Sequence, residues 1–244
     1  MGSMQGPGIL FVRASIADDI LDEKTFLRWY DADHIPEVVT TSGIKSGFRC
    51  VDSEKESPSG RMRNPKPLLT FYPMSDLSFA SSDEFRAIKV SSDLLPGDGS
   101  VYDLADFEVS FLSLRNKTEK KEGAGGKQYV LTCGVRLEPG QSMDELFKKQ
   151  QESLANAKGY MRTLSFELRY ARANAQSRKL KGLPASDEPG PEPSTHMAMH
   201  EFAEKPSEDI VKSVWDSVAE LGKVQTEVLV WALQVSHGEK KFFD

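Results

Sequence analysis

The chain contains 244 residues with a net charge of −6, and 39% of them are hydrophobic. No apolar run approaches the roughly 20 residues that a membrane-spanning helix needs, the N-terminus carries no secretion signal, and the acidic charge disfavours nucleic acid. The two cysteines form neither a disulfide framework nor a C-x-x-C metal pair. We therefore expect a soluble, cytoplasmic protein with no membrane partner and no nucleic-acid partner.

Hydrophobic periodicity predicts four strands and two helices in the first half of the chain. The strands are expected at 9–16, 44–51, 67–73 and 107–114, and the helices at 22–34 and 82–93. At 116–127 the sequence becomes charged and then rich in glycine, a composition typical of a flexible linker. This segment lies close to the midpoint of the chain.

The second half repeats the same order of elements. Strands are predicted at 129–137, 164–171, 196–203 and 227–235, and helices at 143–157 and 207–221. Ser142 and Glu145 form a capping-box pattern at the start of the first of these helices. The segment 177–194, rich in proline, glycine, serine and acidic residues, predicts a mobile loop.

Both halves therefore read β-α-β-β-α-β, which predicts an α+β fold of tandem ferredoxin-like repeats. The first repeat covers 7–116, the linker 117–127 and the second repeat 128–244. The last strand is apolar on both faces, whereas a sheet with one wet face should alternate. We therefore expect the two sheets to form an intrachain, pseudo-dimeric α+β barrel, either as a monomer or as a homodimer.

The segment 26–39 contains the first half's only histidine, His34, among three carboxylates, Asp31, Asp33 and Glu37. Helical spacing lets both Asp31 and Tyr30 meet the imidazole. Pro36 predicts that the helix ends or kinks just after His34, which would leave the ring near a cavity mouth. A neighbouring carboxylate would orient the ring and raise its pKa, as suits a general acid or base. Alternatively, His34 only caps the helix C-terminus.

The pattern F-x-x-W-Y-x-x-x-H-I-P at 26–36 is followed by an S-G-I turn at 42–44 and a G-F-R strand at 47–49. These residues resemble EthD-type members of the dimeric α+β barrel superfamily, especially the fungal ones. The resemblance implies a barrel of two similar domains that acts on polyketide-like or aromatic carbonyl compounds without metal or flavin. It also implies that His34 corresponds to the acid/base histidine of the first helix.

The second repeat departs from this pattern. Aligning Phe147 with Phe26 places Ala155 at the position of His34, so the second helix carries no acid/base pair. A site of this type is therefore expected in the first half only, with the second half supplying the partner sheet. His196 and His200 share one face of a strand but lie about 13 Å apart, which disfavours a joint metal site. No metal site is predicted.

We expect a cofactor-independent lyase or isomerase of secondary metabolism, similar to a polyketide cyclase or dehydratase. The substrate would be a small carbonyl or polyketide-type molecule. His34 would move the proton, with Asp31 or Glu37 orienting its ring. The pocket would be lined by Tyr30, Arg49 and Tyr72.

Three alternatives remain open at this point. The first is a cofactor-free monooxygenase of the same superfamily. The second is a haem protein similar to chlorite dismutase, for which the helices of the second half offer no axial histidine. The third is a non-catalytic module that binds a small molecule.

Overall fold

Eight antiparallel strands, four from each half of the chain, close into one barrel. The computed structural model describes residues 4–54, 64–97, 100–121, 126–137, 141–220, 222 and 224–243. The strands are β1 (Gly8–Ile16), β2 (Ser46–Asp52), β3 (Leu68–Met74), β4 (Ala105–Lys117), β5 (Tyr129–Arg136), β6 (Tyr160–Ala173), β7 (His196–Phe202) and β8 (Gln225–Gly238). The helices are α1 (Glu23–Trp29), α2 (Ile35–Thr40), α3 (Asp83–Ala87), α4 (Val101–Leu104), α5 (Met143–Leu154), α6 (Asn174–Leu180) and α7 (Glu208–Ala219).

Around the barrel the strands follow the order β1-β3-β2-β8-β5-β7-β6-β4, and β4 pairs with β1 to close the ring. The first half contributes the neighbours β4-β1-β3-β2, and the second half contributes β8-β5-β7-β6. The halves meet where β2 pairs with β8 and where β4 pairs with β6. The prediction of a closed α+β barrel within one chain is therefore confirmed.

The barrel explains why its strands are apolar on both faces. One cluster, which includes Phe71, Phe166 and Trp231, fills the interior. A second cluster lies between the outer face of the first half and its helices, and a third lies under α5 and α7. Because the interior and the helix-covered face both exclude water, each strand buries residues of both alternating sets.

Pro36 predicts that the first helical segment ends or kinks just after His34, and the structure shows that it does not end there. A π-helical turn, Tyr30–His34, follows α1 directly and leads into α2, where Pro36 occupies the first turn. Proline has no N–H group, and its ring clashes with the carbonyl four residues earlier in a regular helix. The wider π turn accommodates this break, so the chain continues as a helix past His34.

Other differences from the predicted elements are small. The helix predicted at 82–93 is only the short α3, and part of the loop predicted at 177–194 forms α6. Within the linker predicted at 117–127, residues 122–125 lie outside the described residues, whereas the Lys121 amide donates to the Met161 carbonyl. None of the helices in the described ranges is long and apolar enough to span a membrane.

Gly47 on β2 allows the start of α2 to approach the sheet closely. A Cβ atom at this position would lie 2.8 Å from Cγ2 of Ile35 and 3.0 Å from Cε1 of Tyr72. Both neighbours are fully buried, so neither can move away freely. The absence of a side chain at Gly47 therefore determines how closely Ile35 of α2 and Tyr72 pack against β2.

We expect Gly47→Ala to lower the free energy of unfolding by about 1–3 kcal/mol, because overpacking forces neighbouring side chains out of their preferred positions. Urea denaturation measures this change. Gly126→Ala is the matched control, since its new Cβ would meet only Nε2 of Gln128 at 3.8 Å. Equal stabilities of the two variants would contradict this account of the packing.

Candidate functional site

A cavity of about 80 Å³ lies between the first helical segment and the outer face of the first-half sheet. Three phenols, two phenyl rings, an indole and an imidazole line it together with aliphatic side chains and two basic groups. The lining residues with aromatic or basic side chains include Trp29, Tyr30, His34, Tyr72, Arg172 and Lys181. The cavity thus contains three of the six site residues predicted from sequence: His34, Tyr30 and Tyr72.

His34 is held between aromatic rings. Its imidazole stacks on Trp29 at 4.7 Å between ring centroids and meets the edge of Tyr30 at 5.6 Å. Its Nδ1 atom is buried and has no hydrogen-bond partner among the described residues. The ring also bonds to the Lys89 backbone, and this bond raises the pKa, so the backbone accepts it from the other nitrogen, Nε2. In the uncharged ring the proton is then on Nε2 and the lone pair on Nδ1.

The pKa of His34 is lowered to about 4, chiefly because burial disfavours the imidazolium ion. The charge of Asp33 and a hydrogen bond with the Lys89 backbone act in the opposite direction, whereas Lys181 lowers the pKa further. The prediction of a raised pKa is therefore wrong for the net shift, because burial outweighs the effect of the neighbouring carboxylate of Asp33. At neutral pH the ring is uncharged and can accept a proton.

Asp31 does not orient the imidazole, contrary to the prediction. Its carboxylate accepts two hydrogen bonds from Arg49, from Nε and from Nη2, each at 2.7 Å. His237 lies on the other side, with Nε2 3.7 Å from the Asp31 carboxylate. His237, which belongs to β8, therefore lies next to this ion pair. Neither Asp31 nor Arg49 lines the cavity.

Glu37 also has a different partner from the one expected. Its carboxylate accepts from the backbone N–H of Lys89, with distances of 3.2 and 3.3 Å to its two oxygens. The Lys89 backbone also bonds to His34. Glu37 therefore holds the segment after α3 that covers the imidazole, and its effect on His34 is indirect.

The two predicted tyrosines lie inside the cavity. Burial raises the pKa of Tyr30, whose side chain is hydrogen-bonded to Thr70. Burial also raises the pKa of Tyr72 well above its ordinary value, and the Tyr72 hydroxyl lacks a partner among the described residues. Both phenols are therefore protonated at neutral pH, and Tyr72 can donate a hydrogen bond to a ligand oxygen.

Arg172 and Lys181 were missed by the sequence reasoning, and both come from the second half. Arg172 lies on β6 opposite Val109 of β4, and Val109 lines the cavity. Lys181 follows α6 and donates to the carbonyls of Arg86 and Ile88 at 2.6 and 2.7 Å. The expectation of a site built by the first half alone is therefore wrong, because the barrel seam brings these two cations into it.

In the second half, polar side chains under α5 bond to one another. Gln150 of α5 donates to Sγ of Cys133 and to Oγ of Ser217, at 3.3 and 3.1 Å. His200 is buried there, its Nδ1 lies 2.8 Å from Oγ1 of Thr163, and burial lowers its pKa to about 3. His200 thus has a structural contact of the kind expected for it.

The comparison with known proteins bears on the fold. No model of a protein family matches the sequence, and no curated protein matches it. Among solved structures, the chain is similar to an anthrone oxidase-like protein, with a TM-score of 0.54 and 12% identity over 99% of this chain and 97% of that chain.

A second similar structure is a protein provisionally assigned as a monooxygenase from Fusobacterium nucleatum subsp. nucleatum. Its TM-score is 0.50 and its identity 11%, over 96% of this chain and 95% of that chain. Both structures have the dimeric α+β barrel fold. At this level of identity the likeness establishes the fold alone.

We expect Asp31→Ala to lower the free energy of unfolding by about 2–4 kcal/mol, because it leaves the Arg49 guanidinium buried and unpaired. The side chain of Arg49 is only 8% exposed. Asp83→Ala is the matched control, since it removes a fully exposed partner of Arg86 and should change stability by less than about 1 kcal/mol. Chemical denaturation of both variants measures the difference. Indistinguishable variants would show that the Asp31 pair is not structural.

Proposed function

We propose that the protein is a cofactor-independent enzyme that moves a proton on a small carbonyl or polyketide-type metabolite. The observation that carries the proposal is the buried Nδ1, without a partner among the described residues, of an uncharged, half-buried imidazole that lines a cavity of aromatic rings. Such a group accepts a proton without first losing one to solvent. The reaction class is dehydration, cyclisation or isomerisation.

In the proposed reaction, Nδ1 of His34 takes a proton from a carbon next to the substrate carbonyl, and the electron pair moves onto the carbonyl oxygen. The Tyr72 hydroxyl, unpartnered inside the cavity, donates a hydrogen bond to that oxygen. The imidazolium then returns its proton, either to a different carbon or to a leaving hydroxyl group. The first outcome is isomerisation, and the second is dehydration with loss of water. In cyclisation the enolate carbon instead attacks a second carbonyl of the substrate, and the imidazolium returns its proton to the alkoxide that this new bond creates.

The low pKa of His34 restricts the substrate. A base with a pKa of about 4 is weak, so it removes a proton efficiently only from an acidic position. Carbon atoms between a carbonyl and an aromatic ring, or between two carbonyls, satisfy this condition. Polyketide-type molecules contain many such positions.

A cofactor-free monooxygenase is the second candidate function. It is supported by the names of the two similar structures, an anthrone oxidase-like protein and an assigned monooxygenase. The same proton abstraction would start that reaction, but the resulting carbanion would then transfer electrons to molecular oxygen. Oxygen consumption with a phenolic substrate separates the two candidates, because proton transfer alone consumes none.

Two finer assignments belong to this proposal. The identical strand order within each half supports tandem ferredoxin-like repeats with boundaries at 7–116 and 128–244. The motif at 26–49 supports an EthD-type protein of secondary metabolism. The non-catalytic alternative, a module that only binds a metabolite in this cavity, makes the opposite prediction for turnover.

The test begins with the ligand that co-purifies with the protein, identified by mass spectrometry, followed by measurement of its conversion. We expect His34→Gln to lower kcat/KM by about 100-fold or more, because glutamine cannot act as a base. Its free energy of unfolding should change by about 1 kcal/mol or less. His196→Gln, outside the cavity, is the matched control. Full activity of His34→Gln would contradict the proposal, and a bound ligand that wild type does not convert would favour the binding module.

The pH profile gives an independent check. The base works only when uncharged, so kcat/KM should hold from pH 7 down to about pH 5 and fall as the pH drops through the His34 pKa of about 4. An ordinary, solvated histidine would cause the loss between pH 7 and pH 6. A fall in that higher range would show that His34 is not the buried base described above.

A further inference from the structure

The two basic residues in the cavity have no anionic partner there. The lining contains Arg172 and Lys181, and no aspartate or glutamate is among the lining residues. Within the described ranges, no carboxylate lies within 4 Å of the Arg172 guanidinium, and its buried Nε has no hydrogen-bond partner. Two positive groups therefore face an otherwise apolar cavity.

The environment of Arg172 is unfavourable for a lone cation. Burial lowers its pKa, and the groups that offset this effect are only two phenols, those of Tyr102 and Tyr170. The guanidinium lies 5.6 Å above the ring of Phe111, a weak cation–π contact. A desolvated charge without an opposite charge is costly, and a bound anion removes much of that cost.

Lys181 adds a second charge next to the first. Its ammonium group donates to two backbone carbonyls, and its pKa is lowered by burial and by the charge of Arg172. The carboxylate of Glu37, which does not line the cavity, acts in the opposite direction. The same lysine also lowers the pKa of His34. Arg172, Lys181 and the imidazole are therefore close enough to influence one another electrostatically.

We propose that Arg172 and Lys181 form an anion site, so that the ligand of this cavity is a small aromatic compound carrying a carboxylate. A guanidinium presents two parallel donors that match a carboxylate. The cavity volume of about 80 Å³ and the aromatic lining suit a single flat ring. That this ligand is also the substrate rests on the proposed function, whereas the anion site itself does not.

The proposal assigns a role to the second half of the chain. Both cations are carried by residues after the start of β6, whereas His34 and the tyrosines belong to the first half. A bound anion also lies in the field of His34, where it stabilises the imidazolium and raises the pKa of the ring. Anion binding would therefore strengthen the base at the moment that the ligand arrives.

The test uses benzoate and benzamide, which have the same ring and nearly the same shape but differ in charge. Binding is followed by Trp29 fluorescence and by calorimetry at low and moderate salt. We expect benzoate to bind at least about tenfold more tightly than benzamide, with a preference that weakens as salt increases. Arg172→Met should abolish this preference while retaining the stem of the side chain, and Lys181→Met should reduce it.

Lys179→Met is the matched control, because Lys179 pairs with Asp187, lies two residues from Lys181 and does not line the cavity. It removes the same charge and should leave the preference for benzoate unchanged. Equal binding of the two probes, binding of neither at 10 mM, or an unchanged preference in Arg172→Met would each overturn the anion site. His34→Gln should keep the preference, so a fully active His34→Gln with this preference intact would refute the proposed function alone.

Discussion

The pairing of β4 with β6 is the contact on which the site depends. It joins the two halves and closes the barrel, and its register sets Arg172 opposite Val109 at the wall of the cavity. A shift by one residue would turn Arg172 toward the barrel interior, because side chains alternate between the two faces of a strand. Closure of the barrel and composition of the cavity therefore follow from the same set of backbone hydrogen bonds.

The charge state of His34 depends on which groups the neighbouring carboxylates bind. Three carboxylates surround it in sequence, but Asp31 is paired with Arg49 and Glu37 with the Lys89 backbone. Burial against Trp29 and Tyr30 then outweighs the remaining charge of Asp33 and keeps the imidazole neutral. The charge of Lys181 acts in the same direction as burial. The imidazole is neutral because two of the three carboxylates are bound to other groups, although all three are close to it in the sequence.

The sequence predicts the positions of the strands well, because short continuous apolar runs are typical of strands that are buried on both faces. It also singles out His34, Tyr30 and Tyr72, all of which line the cavity. It cannot decide which partner Asp31 chooses, since helical spacing offers His34 while Arg49 arrives from a strand 18 residues away in the chain. For a similar reason the sequence does not predict that Arg172 and Lys181 line the cavity, because their position depends on how the two halves pair. The sequence indicates a break near Pro36 but not its form, a π turn at Tyr30–His34 that accommodates the proline within a continuing helix.

Nitrogen NMR of histidine-labelled protein measures directly whether the His34 ring is uncharged and which of its nitrogens carries the proton. With the His34 signal assigned by comparison with His34→Gln, we expect an uncharged ring at pH 7 whose Nδ1 carries no proton, and a titration midpoint near pH 4. An imidazolium at pH 7, a midpoint near the ordinary value of about 6.5, or a proton on Nδ1 would contradict the account.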